Sequence, residues 1–450
     1  MADIFNSHIS LAEGGAAVKT QTEKEALKEK INQILNEEYA VEYLASLMRM
    51  PSETLKPAYA QELVLAKMKE LGFATEMFPC YVDEIRDLPD FFHAEGNDVY
   101  RPDILNLVGV KEGVSEGKGN ALMLHAHIDT SPSFPGICSP ENVHREGSRL
   151  YGLGACDDKG GVATMMMAAE AVIKTAGPLD GKLTLMSSIG KRGAIGTLTS
   201  CLKGYGGDGA IYLHPAETGH GFREIKNYSM GTTDLILTIT GKKGKDQNET
   251  DDSEVNAVIK GAETVLAVKA WEKERRKKHL FADSTFAGSP CTKTDITNAR
   301  ATAMTPDDVT EYELSVRVIF GLDETPESVR NELADYLAET FKDDEWMSAN
   351  PVRITLGERQ GSPITVGREE QIVQTLEKNI TEIKKFDDFI YQYHGTSDIR
   401  MPIIYGNTPT VGVGALCGGL HPGIDEEWID LKDYIDGIKI MAGVIIDWCL

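Results

Sequence analysis

ALMLHAHIDT, residues 121–130, begins as an uninterrupted apolar run and ends with His125, His127 and Asp129 at alternate positions. The apolar start reads as a strand buried on both faces, as in a parallel sheet, and chemistry in open α/β sheets collects at the carboxyl ends of such strands. With this spacing, His127 can ligate a cation while the Asp129 carboxylate turns back to hold its imidazole. Further on, GLGACDDKGG (152–161) sets Asp157 and Asp158 after a turn whose glycines let the backbone bend sharply and deliver a carboxylate inward. Two more histidines follow strand-like runs: His214 in LHPAETG (213–219) and His421 in GGLHPGIDEEW (418–428).

Around these stretches, short apolar runs at 104–110, 121–126, 183–188 and 209–213 read as strands. The Ala- and Met-rich segment 161–174 reads as a buried helix between two of them. Nearer the N-terminus an amphipathic helix is expected over 22–37, with Thr22 and Glu25 at capping-box spacing and Leu27, Ile31 and Leu35 recurring every four residues. Another, roughly 58–71, ends at Gly72. Strands alternating with helices predict an α/β fold with a mostly parallel sheet covered on both faces.

From about 229 the texture changes. TTDLILTITG (232–241) alternates as a strand, 253–278 reads as a long helix with Val255, Val258, Ala262 and Val265 on one face, and YELSVRVIF (312–320) is another strand. A helix at 326–341 and a strand at 352–356 complete what reads as an inserted α+β unit. After GSP (361–363) the α/β texture returns and closes with a helix near 431–448. The expected division is therefore 1–228 with 360–450 as one domain and 229–359 as the second.

Composition narrows the partners. The chain has 450 residues, 41% apolar and 26% charged, with a formal net charge of −24, which is soluble globular composition. That acidity argues against nucleic acid and anionic membrane surfaces, which require basic patches. The basic run from Lys273 to Lys278 reads as a helix end. No apolar run approaches the ~20 residues that span a bilayer, and the N-terminus lacks the layout of a secretory signal. Seven cysteines, odd in number and without a CxxC pair, suggest neither a disulfide framework nor a cysteine-based zinc site, so a reducing cytoplasm is expected. The Gly-rich GYGGDG (204–209) lacks dinucleotide and P-loop spacing.

Taken together and in order, HAHIDT, ACDDKGG, AIYLHPAETG, SEVNAVIKGAE, SVRVIF, GTSDIR and LHPGIDEE resemble the M20 metallopeptidase family, which includes aminoacylases, acetylornithine deacetylases and carboxypeptidases. The resemblance covers nearly the whole chain. It implies that His127 ligates a first metal, that Asp157 bridges two metals, and that Asp129 orients the site. It further implies that His214, or Glu217 in its place, completes the first-metal set and that His421 serves the second. Arg317 would contact a substrate carboxylate, and the inserted unit would be a lid that also forms a homodimer or higher homo-oligomer.

Two positions depart from the family pattern. Its Glu-Glu pair, a general base and a second-metal ligand, falls on Gly190 and Lys191 in SSIGKRGAIGT (187–197), which carries no carboxylate. Its lid histidine falls on Lys245. One reading is a hydrolase of C–N bonds in a small carboxylate-bearing substrate, using one divalent metal, zinc or manganese, per chain. Lys191 and Lys245 would then supply fixed positive charge, and Glu217, Asp158 and His125 are the candidates to activate water. A non-catalytic relative kept for binding or assembly, a structural metal, and an ordinary dinuclear deacylase with 187–197 aligned differently are the alternatives. Simpler roles stand beside the chemical ones: loop histidines for His220 and His394, a helix cap for Asp398, a small buried residue for Cys156, and a solvent-facing or ion-paired Arg317.

Overall fold

The strand expected from ALMLHAHIDT runs Leu122–His127 and lies in the middle of a nine-stranded sheet. The computed structural model describes residues 19–88, 90–91, 102–114, 119–134, 138–191, 193–215, 219–244, 253–281, 288–303, 309–394, 397–419 and 426–450. Leu122–His127 pairs in parallel with Leu183–Ser188 on one side and Gly209–Tyr212 on the other, and Thr410–Gly412 continues in parallel beyond. Antiparallel strands flank this centre: Ala74–Pro79 and Leu105–Lys111 at one edge, Glu224–Ser229 and Ile364–Thr365 towards the other. The chain leaves Leu122–His127 for the neighbour on one side and returns to the neighbour on the other. A topological switch point, the place where open α/β sheets collect their ligands, therefore lies at the carboxyl end of this strand.

Right-handed crossovers running in opposite directions place their helices on opposite faces of the sheet. The first crossover is the helix Lys159–Ala176, whose Met165, Met166 and Met167 are at most 2% exposed. It packs against the C-terminal helix Leu431–Cys449 and the N-terminal helices Gln21–Ile34 and Glu37–Arg49. The second crossover helix, Ile195–Leu202, packs against Arg400–Gly406. On that side Tyr212 is buried with Ile364 and Ile399.

A second sheet is wholly antiparallel, in the order Lys293–Ala303, Val309–Phe320, Gly231–Thr240, Arg353–Gly361. Helices Ala257–Lys278 and Pro326–Thr340 cover it over a core of its own, which includes Leu235, Leu237, Val268, Trp271, Leu314, Val316 and Leu333. Two short strands, Cys417–Gly418 and Trp428–Asp430, form a hairpin that joins Arg149–Tyr151 and His144–Glu146 in a third sheet.

Local expectations shift in four places. The first helix runs Gln21–Ile34, and its capping box lies two residues earlier than expected, Thr20 with Glu23, not Thr22 with Glu25. The strand Lys293–Ala303 went unread because it is an edge with a largely exposed run of polar residues. In Ala257–Lys278 the line through Val258 and Ala262 faces outward, and the buried face is Gly261, Thr264, Val268, Trp271 and Arg275. Gly261 sets that orientation, since a Cβ there would stand 2.3 Å from the Tyr312 ring. Finally, the α/β texture expected after 361–363 includes a further short helix, Arg400–Gly406. No helix among the described residues is long and apolar enough to cross a membrane.

Candidate metal centre

His127 is the last residue of its strand, and its ring is fixed from behind. Nδ1 lies 2.8 Å from the Asp129 carbonyl oxygen, so an Nδ1–H donates there and Nε2 faces Asp157. Nε2 is 2.9 Å from Asp157 Oδ1. His214, two residues past Gly209–Tyr212, repeats the arrangement: Nδ1 is 2.9 Å from the Pro215 carbonyl oxygen and Nε2 is 3.2 Å from the same Asp157 Oδ1. The candidate ligand atoms of His127, Asp157 and His214 lie within 4.8 Å of one another, and all three residues are buried. Two imidazoles held at Nδ1 by backbone carbonyls, with Nε2 converging on one carboxylate oxygen, suit a tetrahedral divalent ion with an open position. The donor set fits zinc or manganese.

Asp129 contributes differently from the sequence expectation. Its backbone carbonyl, not its carboxylate, holds the imidazole, and its Oδ1 stands 3.7 Å from His127 Nδ1. The carboxylate accepts from Thr54 Oγ1 at 2.8 Å and from the Lys191 backbone N–H at 3.1 and 3.3 Å. Asp129 thereby ties the strand end to the 187–197 segment. The Asp158 carboxylate accepts the His127 N–H at 3.2 Å. Asp157 and Asp158 are joined by a cis peptide bond.

The Lys191 side chain turns into the centre. Its ammonium contacts Asp157 Oδ2 and lies 3.2 Å from Ser131 Oγ. Burial works against ionising Asp157, but Lys191 and the hydrogen bonds from His127 and His214 hold its carboxyl well below the usual range. Burial likewise opposes charge on Lys191, and Asp157 and Glu427 overcome it, so the ammonium is held above its ordinary value. His127 is raised to about 10, since contact with Asp157 outweighs desolvation. His214 is pushed down to about 4 by burial and by the Lys226 ammonium, 3.1 Å from its Nδ1.

Other candidates separate. His125 is fully buried, stacks on Tyr212 at 4.8 Å, and has no hydrogen-bond partner at either ring nitrogen among the described residues. Burial pushes it down to about 3, so it stays neutral and cannot take up a proton near neutral pH. Asp398 does not cap a helix with its side chain: Oδ2 accepts from Thr197 Oγ1 at 3.0 Å, and burial raises its carboxyl to about 6. Arg317 sits on the second sheet directly opposite Asp234 and is bound by both its oxygens, at 2.8 and 3.0 Å. Glu217, Lys245 and His421 lie outside the described residues. In a second cluster, His279, Glu324 and Glu332, the fully buried Arg275 donates to both carboxylates.

Two features of the centre were not read from the sequence. Glu427 Oε2 accepts the backbone N–H groups of Gly154, Cys156 and Asp157 at 2.9, 3.3 and 3.3 Å. Nothing in the run DEEW (425–428) distinguishes Glu427 from Glu426. Cys156 and Cys417, 261 residues apart, are paired as a disulfide with a Cα separation of 5.3 Å. This corrects the expectation of unlinked cysteines, because linear spacing carries no information about so distant a pair. The other described cysteines are free and buried.

Comparison with known proteins agrees with this fold. The family model for peptidase family M20/M25/M40 matches residues 123–447. A succinyl-diaminopimelate desuccinylase from Methylocella silvestris is 31% identical over 152 residues, covering 33% of this chain and only 34% of that protein. An N-formyl-4-amino-5-aminomethyl-2-methylpyrimidine deformylase from Bacillus subtilis is 27% identical over 385 residues, covering 78% of this chain and 84% of that one. Among solved structures, a tripeptidase from Staphylococcus aureus superposes with a TM-score of 0.66 at 18% identity, over 92% of this chain and 99% of that chain. A dinuclear metal binding peptidase of the M20 family from Bacillus subtilis gives 0.58 at 11% identity, over 94% and 99%.

Proposed function

The chain belongs to peptidase family M20/M25/M40 and is a metal-dependent hydrolase, and from that premise we propose that it cleaves a C–N bond in a small carboxylate-bearing substrate using one divalent ion, zinc or manganese. The observation that carries the one-metal reading is the Lys191 ammonium on Asp157 Oδ2. In a dinuclear centre a bridging aspartate offers its second oxygen to the second ion. Here a fixed cation takes that oxygen, and at about 4 Å an ammonium and a divalent ion repel by several kcal/mol even at an effective dielectric of about 20.

His127, Asp157 and His214 are the residues that would hold the ion. A divalent ion bound there supplies Lewis-acid polarisation of a carbonyl and acidifies water. The chain's own residues do the rest. Lys191 gives a preorganised positive charge towards which an oxyanion can develop, and Lys245 adds a second in this reading. Glu217 is assigned the proton transfer from water to the leaving nitrogen; His125 is fully buried and too weakly basic for it, and the Asp158 carboxylate is fully buried with one oxygen on the His127 backbone N–H. Arg317, already ion-paired with Asp234, would exchange that partner for the substrate carboxylate.

The second sheet is proposed to close over the centre and to form a homodimer. Support comes from Val258, Ile259 and Leu266, which are 39%, 59% and 71% exposed along one helix beside the open edge strand Lys293–Ala303.

Metal analysis of the purified full chain tests the reading, paired with hydrolysis assays on N-formyl, N-acetyl and N-succinyl amines. One ion per chain together with deacylation is the expected result. A stoichiometry of two overturns the one-metal model.

A further inference from the structure

One hairpin holds the turn that presents Asp157. Its strands pair Cys417 with Ile429 and Gly418 with Trp428. Glu427, immediately before the second strand, is 3% exposed. Its side chain accepts three amides of the turn, those of Gly154, Cys156 and Asp157, and its backbone carbonyl accepts the Gly152 N–H at 2.9 Å. The opposite strand holds the same turn through the Cys156–Cys417 disulfide. Buried amides of a tight turn need acceptors, and a single carboxylate supplies one for three of them.

We propose that Glu427 is a positioning residue for the metal centre, fixing the 154–157 turn so that Asp157 Oδ1 meets both imidazoles. The inference rests on the metal reading above. Without the carboxylate, Gly154, Cys156 and Asp157 lose their common acceptor, and the turn stays tethered only through the Gly152 N–H on the Glu427 carbonyl and through Cys156. Asp157 then samples directions in which it no longer meets His127 and His214. Loss of an outer partner of this kind costs metal affinity about 10–100-fold. A purely structural role would lower the stability of the metal-free chain and leave the affinity of the folded protein unchanged.

The test uses the full chain, stripped with a chelator and titrated with zinc alone against a chromogenic competitor, as parent, Glu427→Ala and Glu427→Gln. Glutamine keeps one oxygen able to accept from the same amides. The expected result is zinc binding about 10–100-fold weaker in Glu427→Ala and less than about 10-fold weaker in Glu427→Gln. Amide hydrogen exchange should accelerate at Gly154, Cys156 and Asp157 in the alanine variant only. Affinity within about threefold of the parent in Glu427→Ala, or equal losses in both variants, overturns the proposal. If the alanine variant does not fold, Glu427→Gln decides alone, and a loss near 100-fold with the three amides still protected overturns it. A parent that binds no zinc overturns the metal reading instead, and the exchange pattern then decides whether Glu427 clamps the turn.

Discussion

The Lys191 ammonium rests on Oδ2 of Asp157 while the other carboxylate oxygen, Oδ1, faces His127 and His214 at 2.9 and 3.2 Å. One carboxylate thus divides between a permanent cation and a candidate metal position. Replacing Lys191 with Met removes the competing charge and leaves Asp157 less compensated. Zinc should bind more tightly by about tenfold or more, with a weaker second ion appearing at high zinc, while hydrolysis at saturating metal should fall by about 10²-fold for loss of the fixed charge. Calorimetric titration with a parallel rate assay checks both, and unchanged stoichiometry with unchanged affinity would contradict the one-metal account.

His214→Ala removes one of three converging ligand atoms. Zinc affinity should drop by more than about 10²-fold, and hydrolysis should go with it. Zinc at about 100 times its Kd stabilises the parent by about 2.7 kcal/mol. Chelation should therefore lower the melting temperature of the parent and leave that of His214→Ala almost unmoved, which a thermal scan with and without chelator will show.

Far from the centre, Asp447 fastens the C-terminal helix to the N-terminal one. Lys28 Nζ lies 2.7 Å from its Oδ2, and Asn379 Nδ2 and Lys378 Nζ also donate, at 3.0 and 3.1 Å. Burial raises the carboxyl, but these partners win and its pKa falls below 3.8. A carboxyl lowered in the folded state stabilises above the ordinary value, and that contribution fades as pH drops through the folded value. Asp447→Asn should therefore cost about 1–3 kcal/mol at neutral pH and converge on the parent in strong acid. Urea melts across pH 2–7 measure the gap (roughly the acid-to-neutral span over which carboxylates titrate); a gap that widens in acid would refute the assignment.

The apolar line on Ala257–Lys278 predicts the assembly state. Leu266, 71% exposed, should lie inside the proposed homodimer contact. Leu266→Glu buries an unpaired charge in any such interface and should shift the chain to monomer, with the monomer's helix content intact. Light scattering after size exclusion reads the mass directly. A parent that is already monomeric, or a variant that stays dimeric, removes this surface from consideration.

Much of the architecture was legible before any coordinates. The strands at Leu122–His127, Leu183–Ser188 and Gly209–Tyr212 and the buried helix between the first two stood out, because a strand or helix covered on all sides needs a continuous apolar run. Edges were harder. Lys293–Ala303 carries little apolar signal, since a strand hydrogen-bonded on one side only can remain polar. The buried face of Ala257–Lys278 was misread because Gly261 and Arg275 face inward and Val258 and Ala262 do not.

The sequence by itself marked which side chains could ligate, His127, Asp157, His214 or Glu217, and His421, and showed that the 187–197 segment carries no carboxylate. Only the tertiary structure decided how these groups are used. It set the Lys191 ammonium on Asp157, gave the His127 imidazole the Asp129 carbonyl and not its carboxylate as hydrogen-bond partner, made His125 a neutral buried ring, and brought Glu427 and Cys417 to the turn that carries Asp157. The physical reason is range. Ligand chemistry and strand periodicity are properties of a few adjacent residues, whereas charge pairing, desolvation and shared acceptors depend on groups that meet only when segments hundreds of residues apart are packed together.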